Sequence, residues 1–189
     1  MKRLLFIALA LMIASVAVAQ EPDTFGLWRM VDGDYENYLP VEDIPGEFFL
    51  YVTLHDGSTF SVGGYEVGMD IPAEMLVLEI DFFGGVNFGD NTNHLVGYTA
   101  PIFTQEDMLV LSVMDCLSTA LPPAPVPIVY HGADPASIPG HDGPVYADGT
   151  NPDNLIACGY VDGTPNVFLF GGAVATESQS WSGVKSLFE

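Results

Sequence analysis

Three acidic, turn-rich stretches hold the densest ligand chemistry in this chain. Asp32, Asp34 and Glu36 alternate in D-G-D-Y-E. Asp148, Asn151 and Asp153 stand in D-G-T-N-P-D-N, and Asp90, Asn91 and Asn93 in G-D-N-T-N. Calcium takes roughly six to eight oxygen ligands from loops of this composition. None of the three has the ligand order of an EF-hand, and Asp, Asn and Gly are also what turns require, because their short side chains bond the nearby backbone. A structural calcium ion is therefore the only cofactor the sequence suggests.

Other constellations give less. Glu79 and Asp81 sit two apart on a predicted strand, on one face and ~7 Å apart by strand rise. That separation suits a pair of glycosidase carboxylates, and equally an acidic solvent face. His94, His131 and His141 lack metal-ligand spacing such as H-E-x-x-H. No G-x-S-x-G elbow is present. No catalytic residue is assigned. Trp28, Tyr35, Tyr38, Tyr65 and Tyr98 could offer stacking faces to a sugar. Tyr35 and Tyr38 are the best exposed candidates, because they fall in an irregular segment broken by Pro40 and Pro45.

Cys116 and Cys158 are the whole cysteine complement. An even count in an exported chain predicts a disulfide between them. The closed loop of about 42 residues would contribute roughly 4 kcal/mol in the chain-entropy account. Two buried thiols are the alternative.

The elements that must position these residues read as strands. Asp107 to Leu117 is apolar on both alternating faces for most of its length, as in a central strand covered on both sides. Phe25–Val31, Glu47–His55, Phe60–Ile71, Glu74–Phe83, Asn93–Ala100, Ile128–His131, Asn154–Val161 and Asn166–Phe170 follow the same logic between turn signals. Gly63-Gly64 marks a bulge in the third of these. In Glu74–Phe83, Leu76, Leu78, Ile80 and Phe82 are expected to form the apolar face. Leu121–Pro127 is too rich in proline for a helix or an interior strand. The pattern predicts an all-β antiparallel sandwich of roughly eight to ten strands with Greek-key or jelly-roll connections. At the C-terminus, Trp181, Val184, Leu187 and Phe188 fall at helical spacing. They predict a short helical tail over 175–189 that docks on the body or recognises a partner.

The N-terminus predicts export. Lys2 and Arg3 precede an apolar run to Val16, and Ala17-Val18-Ala19 is a small-x-small cleavage site, so 1–19 reads as a signal peptide. Residues 20–174 then form one domain, with no transmembrane segment in the mature chain. The formal charge is −21, and only Arg29 and Lys185 oppose the 25 acidic side chains once the leader is gone. Such a surface repels phosphate backbones, which excludes nucleic acid.

The pieces E-F-F-L-Y-V-T-L (47–54), G-G-Y-E-V-G-M-D-I (63–71), N-T-N-H-L-V-G-Y-T-A-P-I (91–102), M-L-V-L-S-V-M (108–114) and Y-A-D-G-T-N-P-D-N-L-I (146–156) resemble exported bacterial β-sandwich modules of the cohesin and carbohydrate-binding kind. The ending A-T-E-S-Q-S-W-S-G-V-K-S-L-F (175–188) is similar to that of other secreted bacterial proteins. The resemblance implies a non-catalytic module for adhesion, surface assembly or scaffolding, with a protein or polysaccharide partner outside the cytoplasm. A carbohydrate-binding module is the alternative, and a secreted hydrolase a second one.

Overall fold

The computed structural model describes residues 23–104, 108–164 and 166–172. The predicted signal peptide (1–19) and the predicted helical tail with Trp181, Val184, Leu187 and Phe188 lie outside them. The described chain is all-β. In order, the strands are β1 (Thr24–Val31), β2 (Asp34–Glu36), β3 (Tyr38–Pro40), β4 (Gly46–His55), β5 (Ser61–Asp70), β6 (Met75–Asp81), β7 (Gly85–Asn87), β8 (Asn93–Phe103), β9 (Met108–Ser118), β10 (Val126–His131), β11 (Val145–Asp148), β12 (Asn151–Ala157), β13 (Gly159–Tyr160) and β14 (Asn166–Gly172). Single 3₁₀ turns occupy Val41–Asp43 and Val161–Gly163. No helix among the described residues is long and apolar enough to cross a membrane.

Two sheets pack face to face. The first has the order β13-β1-β4-β9-β6, with β2 on β1. The second runs β12-β11-β5-β10-β14-β3, with β8 on β5 and β7 on β8. From β4 to β9 the chain passes back and forth between the sheets, as a sandwich requires. Pairing is antiparallel except where β13 lies along β1 and β3 along β14. β5 is shared in an unusual way. β8 runs along one edge, while β11 takes residues 62–66 and β10 takes 68–70 on the other. The loop 132–144 therefore leaves the sheet between those two partners.

Alternation fills the core. Phe25, Leu27, Leu50, Val52, Leu54 and Met114 of the first sheet meet Val62, Val67, Ile128, Phe168 and Phe170 of the second, all nearly inaccessible. Burying a Leu or Phe side chain of this kind stabilises by about 1.5–3 kcal/mol. Tyrosines of the second sheet add polar ties to the first. Tyr65 donates to Ser112 Oγ at 2.8 Å, Tyr98 to the Leu111 carbonyl at 2.7 Å, and Tyr130 to the Gly26 carbonyl at 3.2 Å. Tyr65 and Tyr98 are thus core residues and offer no stacking face.

Several expectations are corrected. The strand count exceeds the predicted range, because 34–40 forms β2 and β3, Gly85–Asn87 forms β7, Val145–Asp148 forms β11, and 154–161 is divided between β12 and β13. β8 also runs on through Pro101 to Phe103. β9 is bonded on both edges, but Val113, Asp115 and Leu117 leave its outer face only half-covered. In β6 the apolar face is interrupted by a bulge at Leu78: the register passes from Val77 opposite Cys116 to Glu79 opposite Asp115. The extra residue reverses the phase. Val77 and Ile80 therefore pack on the core, while Leu76 and Leu78 are exposed.

The disulfide is not formed. Cys116 and Cys158 are both free and buried. Cys116 pairs with Phe48 near one end of β4. Cys158 precedes Gly159, which pairs with Thr24, opposite His55 at the other end of β4. Phe48 and His55 are roughly 23 Å apart at the rise of a strand, far beyond disulfide reach. Burial pushes the Cys116 thiol up to about 12, with Asp115 adding to the effect. It raises Cys158 as well. Neither is a thiolate at neutral pH.

Candidate functional site

The outer face of the first sheet collects exposed aromatic and acidic side chains. Leu50, Val52 and Leu54 point into the core, so Phe49, Tyr51, Thr53 and His55 point out. Register then lines up two rows across the strands. Trp28, Tyr51, Val113 and Asp81 form one; Phe49, Asp115 and Glu79 form the next. The β6 bulge is what brings Glu79 and Asp81 to this face.

Each aromatic has a local cause. Gly26 allows Trp28 to fold down on the sheet, since a Cβ there would come within 2.5 Å of the indole nitrogen. Trp28 Nε1 donates to His55 Nε2 at 3.1 Å, and Thr53 Oγ1 lies 2.9 Å from the same nitrogen. His55 is held in its neutral form by burial, partly opposed by Asp56, and its pKa is lowered. That agrees with Nε2 acting as an acceptor. Tyr35 reaches the face from β2 because Asp32 and Gly33, with φ of 53° and 95°, form the tight turn of a hairpin. Its ring meets Tyr51 edge-on at 6.1 Å. Phe49, 54 % exposed, borders a hollow of about 350 Å³ that it shares with Glu79, Asp81, Val113 and Asp115.

The other predicted ligands are engaged elsewhere. Glu36 is bound by Arg29 through Nη2 at 2.7 Å and Nε at 3.0 Å, and Arg29 Nη1 also meets Asp43 at 2.5 Å. Tyr38 belongs to this clasp and not to the Tyr35 face: the Arg29 guanidinium lies 5.7 Å from its ring centre, and its hydroxyl donates to Glu36. Asp32 and Asp34 are exposed at the hairpin turn. Asp148 Oδ1 accepts from the Thr150 amide and hydroxyl at 2.8 Å, which closes the β11–β12 turn and lowers its pKa. Asn151 and Asp153 are exposed on β12. Asp90 Oδ1 similarly takes the amides of Thr92 and Asn93. His94 is in the core, while His131 and His141 bond backbone carbonyls at the surface. Among the described residues, no three His, Cys, Asp or Glu side chains gather as a metal ion needs.

Sequence reasoning placed Tyr35 and the Glu79–Asp81 pair, but missed Phe49, Tyr51 and Asp115. The usable signal was the alternation in β4, where Phe49 and Tyr51 fall opposite Leu50 and Val52. Compared with protein-family models, with curated proteins and with solved structures, the chain matches none of them. The meaning of this face therefore rests on its own geometry.

Proposed function

We propose that the protein is an exported, non-catalytic binding module whose first-sheet outer face holds a strand of neutral polysaccharide. The observation that carries this is that Tyr35 meets Tyr51 on one open face, and Phe49, two residues from Tyr51, lies beside Asp115 and shares a hollow with Glu79 and Asp81. Aromatic rings offer apolar faces for the C–H side of a sugar ring, and carboxylates accept from its hydroxyls. The same acids and the net charge of −21 repel polyanionic glycans. The expected test is affinity electrophoresis against neutral and anionic polysaccharides. A neutral glucan or mannan should retard the protein, and Phe49→Ala or Tyr35→Ala should weaken retention about tenfold, near 1.4 kcal/mol. Retention unchanged by both variants, or absent from every neutral glycan, would remove the reading.

Assembly through protein contacts is supported by a separate observation. β6 is an edge strand that exposes Leu76 and Leu78 at about half their area, and open apolar edges invite pairing. A Leu78→Lys change that abolishes concentration-dependent association, with glycan retention intact, would favour it.

A further inference from the structure

The outer face of the second sheet carries a hollow of its own. Register aligns Val86, Gly97, Gly64, Ala147 and Leu155 in one row across β7, β8, β5, β11 and β12. The three central residues carry at most a methyl group, so the middle of the row is a floor and its ends are walls. Phe88, 77 % exposed, stands over Gly97, and Leu155 rises on the far side. The resulting groove measures about 410 Å³, within the size range of small-molecule sites.

Packing forces the glycine at Gly64, where a Cβ would collide with the Val96 carbonyl oxygen, but not at Gly97. A Cβ on Gly97 would meet only the Phe88 ring, at 3.7 Å, and Gly97 does not have positive φ. A larger side chain has room there and none is present.

One end of the groove holds Glu66, the residue next on this face of β5. It is only 7 % exposed. Its Oε1 accepts from the Ser137 amide at 2.8 Å, and among the described residues Oε2 has no donor. Arg29, the only lysine or arginine among the described residues, is committed to Glu36 and Asp43. No lysine or arginine among the described residues faces this carboxylate, and it borders a hollow with apolar walls.

We propose that this groove binds a small organic ammonium compound, with its aliphatic or aromatic body on the glycine floor against Phe88 and Leu155 and its N–H groups donating to Glu66. A flat body fits a floor without side chains, and the ligand's cation supplies the positive charge that no lysine or arginine among the described residues brings to Glu66.

The test is titration of the protein with tyramine and with its neutral counterpart 4-ethylphenol, followed by calorimetry and amide chemical shifts. Tyramine should bind at least tenfold more tightly, with shifts centred on Gly64, Glu66 and Gly97. Glu66→Gln should erase the preference for the amine. Gly97→Leu should fill the floor and remove binding of both compounds while leaving the unfolding temperature close to wild type. Equal affinity for the two compounds, no binding of tyramine, or tyramine shifts centred on Glu79, Asp81 and Asp115 would each overturn the proposal.

Discussion

His94 is a histidine that the fold keeps uncharged. It is fully buried between Phe82 and Tyr65, with Nδ1 3.3 Å from the Tyr65 hydroxyl and no partner for Nε2. Burial lowers its pKa from 6.5 to about 4, against smaller opposing contributions from Asn91 and Asp90. The unfolded chain binds this proton more readily than the folded one, so stability rises with pH across the interval. The contribution is complete above pH 6.5 and is lost as pH falls toward 4, by about 3 kcal/mol. Urea unfolding of wild type and His94→Phe at pH 7 and pH 4 measures it. The variant should lose about 3 kcal/mol less over that range; parallel losses would show that His94 does not titrate with folding. None of this was visible in the sequence, where His94 is one of four histidines with no spacing signal.

At the level of strands, legibility followed the physics of alternation. The long strands could be read because successive side chains face opposite ways. The bulge at Gly63 could be read because paired glycines announce it. The register of β5 against β8 does shift between Val62 and Gly64. The bulges at Leu78 and Leu111 carry no such marker: an extra leucine in an apolar run resembles its neighbours. Yet they decide the most. The Leu111 bulge leaves that residue without a ladder partner between Val110 and Ser112, and its carbonyl is what Tyr98 bonds. The Leu78 bulge turns Glu79 and Asp81 outward. The cysteine pairing failed for a related reason, because sequence distance does not reveal which end of a sheet a strand's end reaches. The β1–β2 hairpin was recognised only as a break. Its turn depends on Gly33 at φ 95°. Gly33→Val should cost about 1–2 kcal/mol in thermal unfolding and, on the proposed function, weaken glycan retention through Tyr35. An unchanged melting temperature would argue that another residue accepts this geometry.

For the whole molecule, charge dominates. The sequence carries 25 acidic side chains and a net charge of −21, so the folded body repels itself. Added salt screens that repulsion over about 10 Å at 0.1 M. The melting temperature should therefore rise between 10 mM and 500 mM sodium chloride, and sodium chloride and potassium chloride should act alike. A fall would mean that ion pairs such as Arg29 with Glu36 outweigh the repulsion. The Arg29 clasp has a further consequence, for digestion. Trypsin-like proteases cut after lysine or arginine, and Arg29 lies within β1 with a side chain only 10 % exposed and bound to two acids. The sandwich thus presents such enzymes with almost nothing to cleave until β1 leaves the sheet. Even complete hydrolysis leaves the stretch from Met30 to Lys185 as one piece, so peptide mapping of this protein calls for an enzyme that cuts at Asp, Glu or aromatic residues.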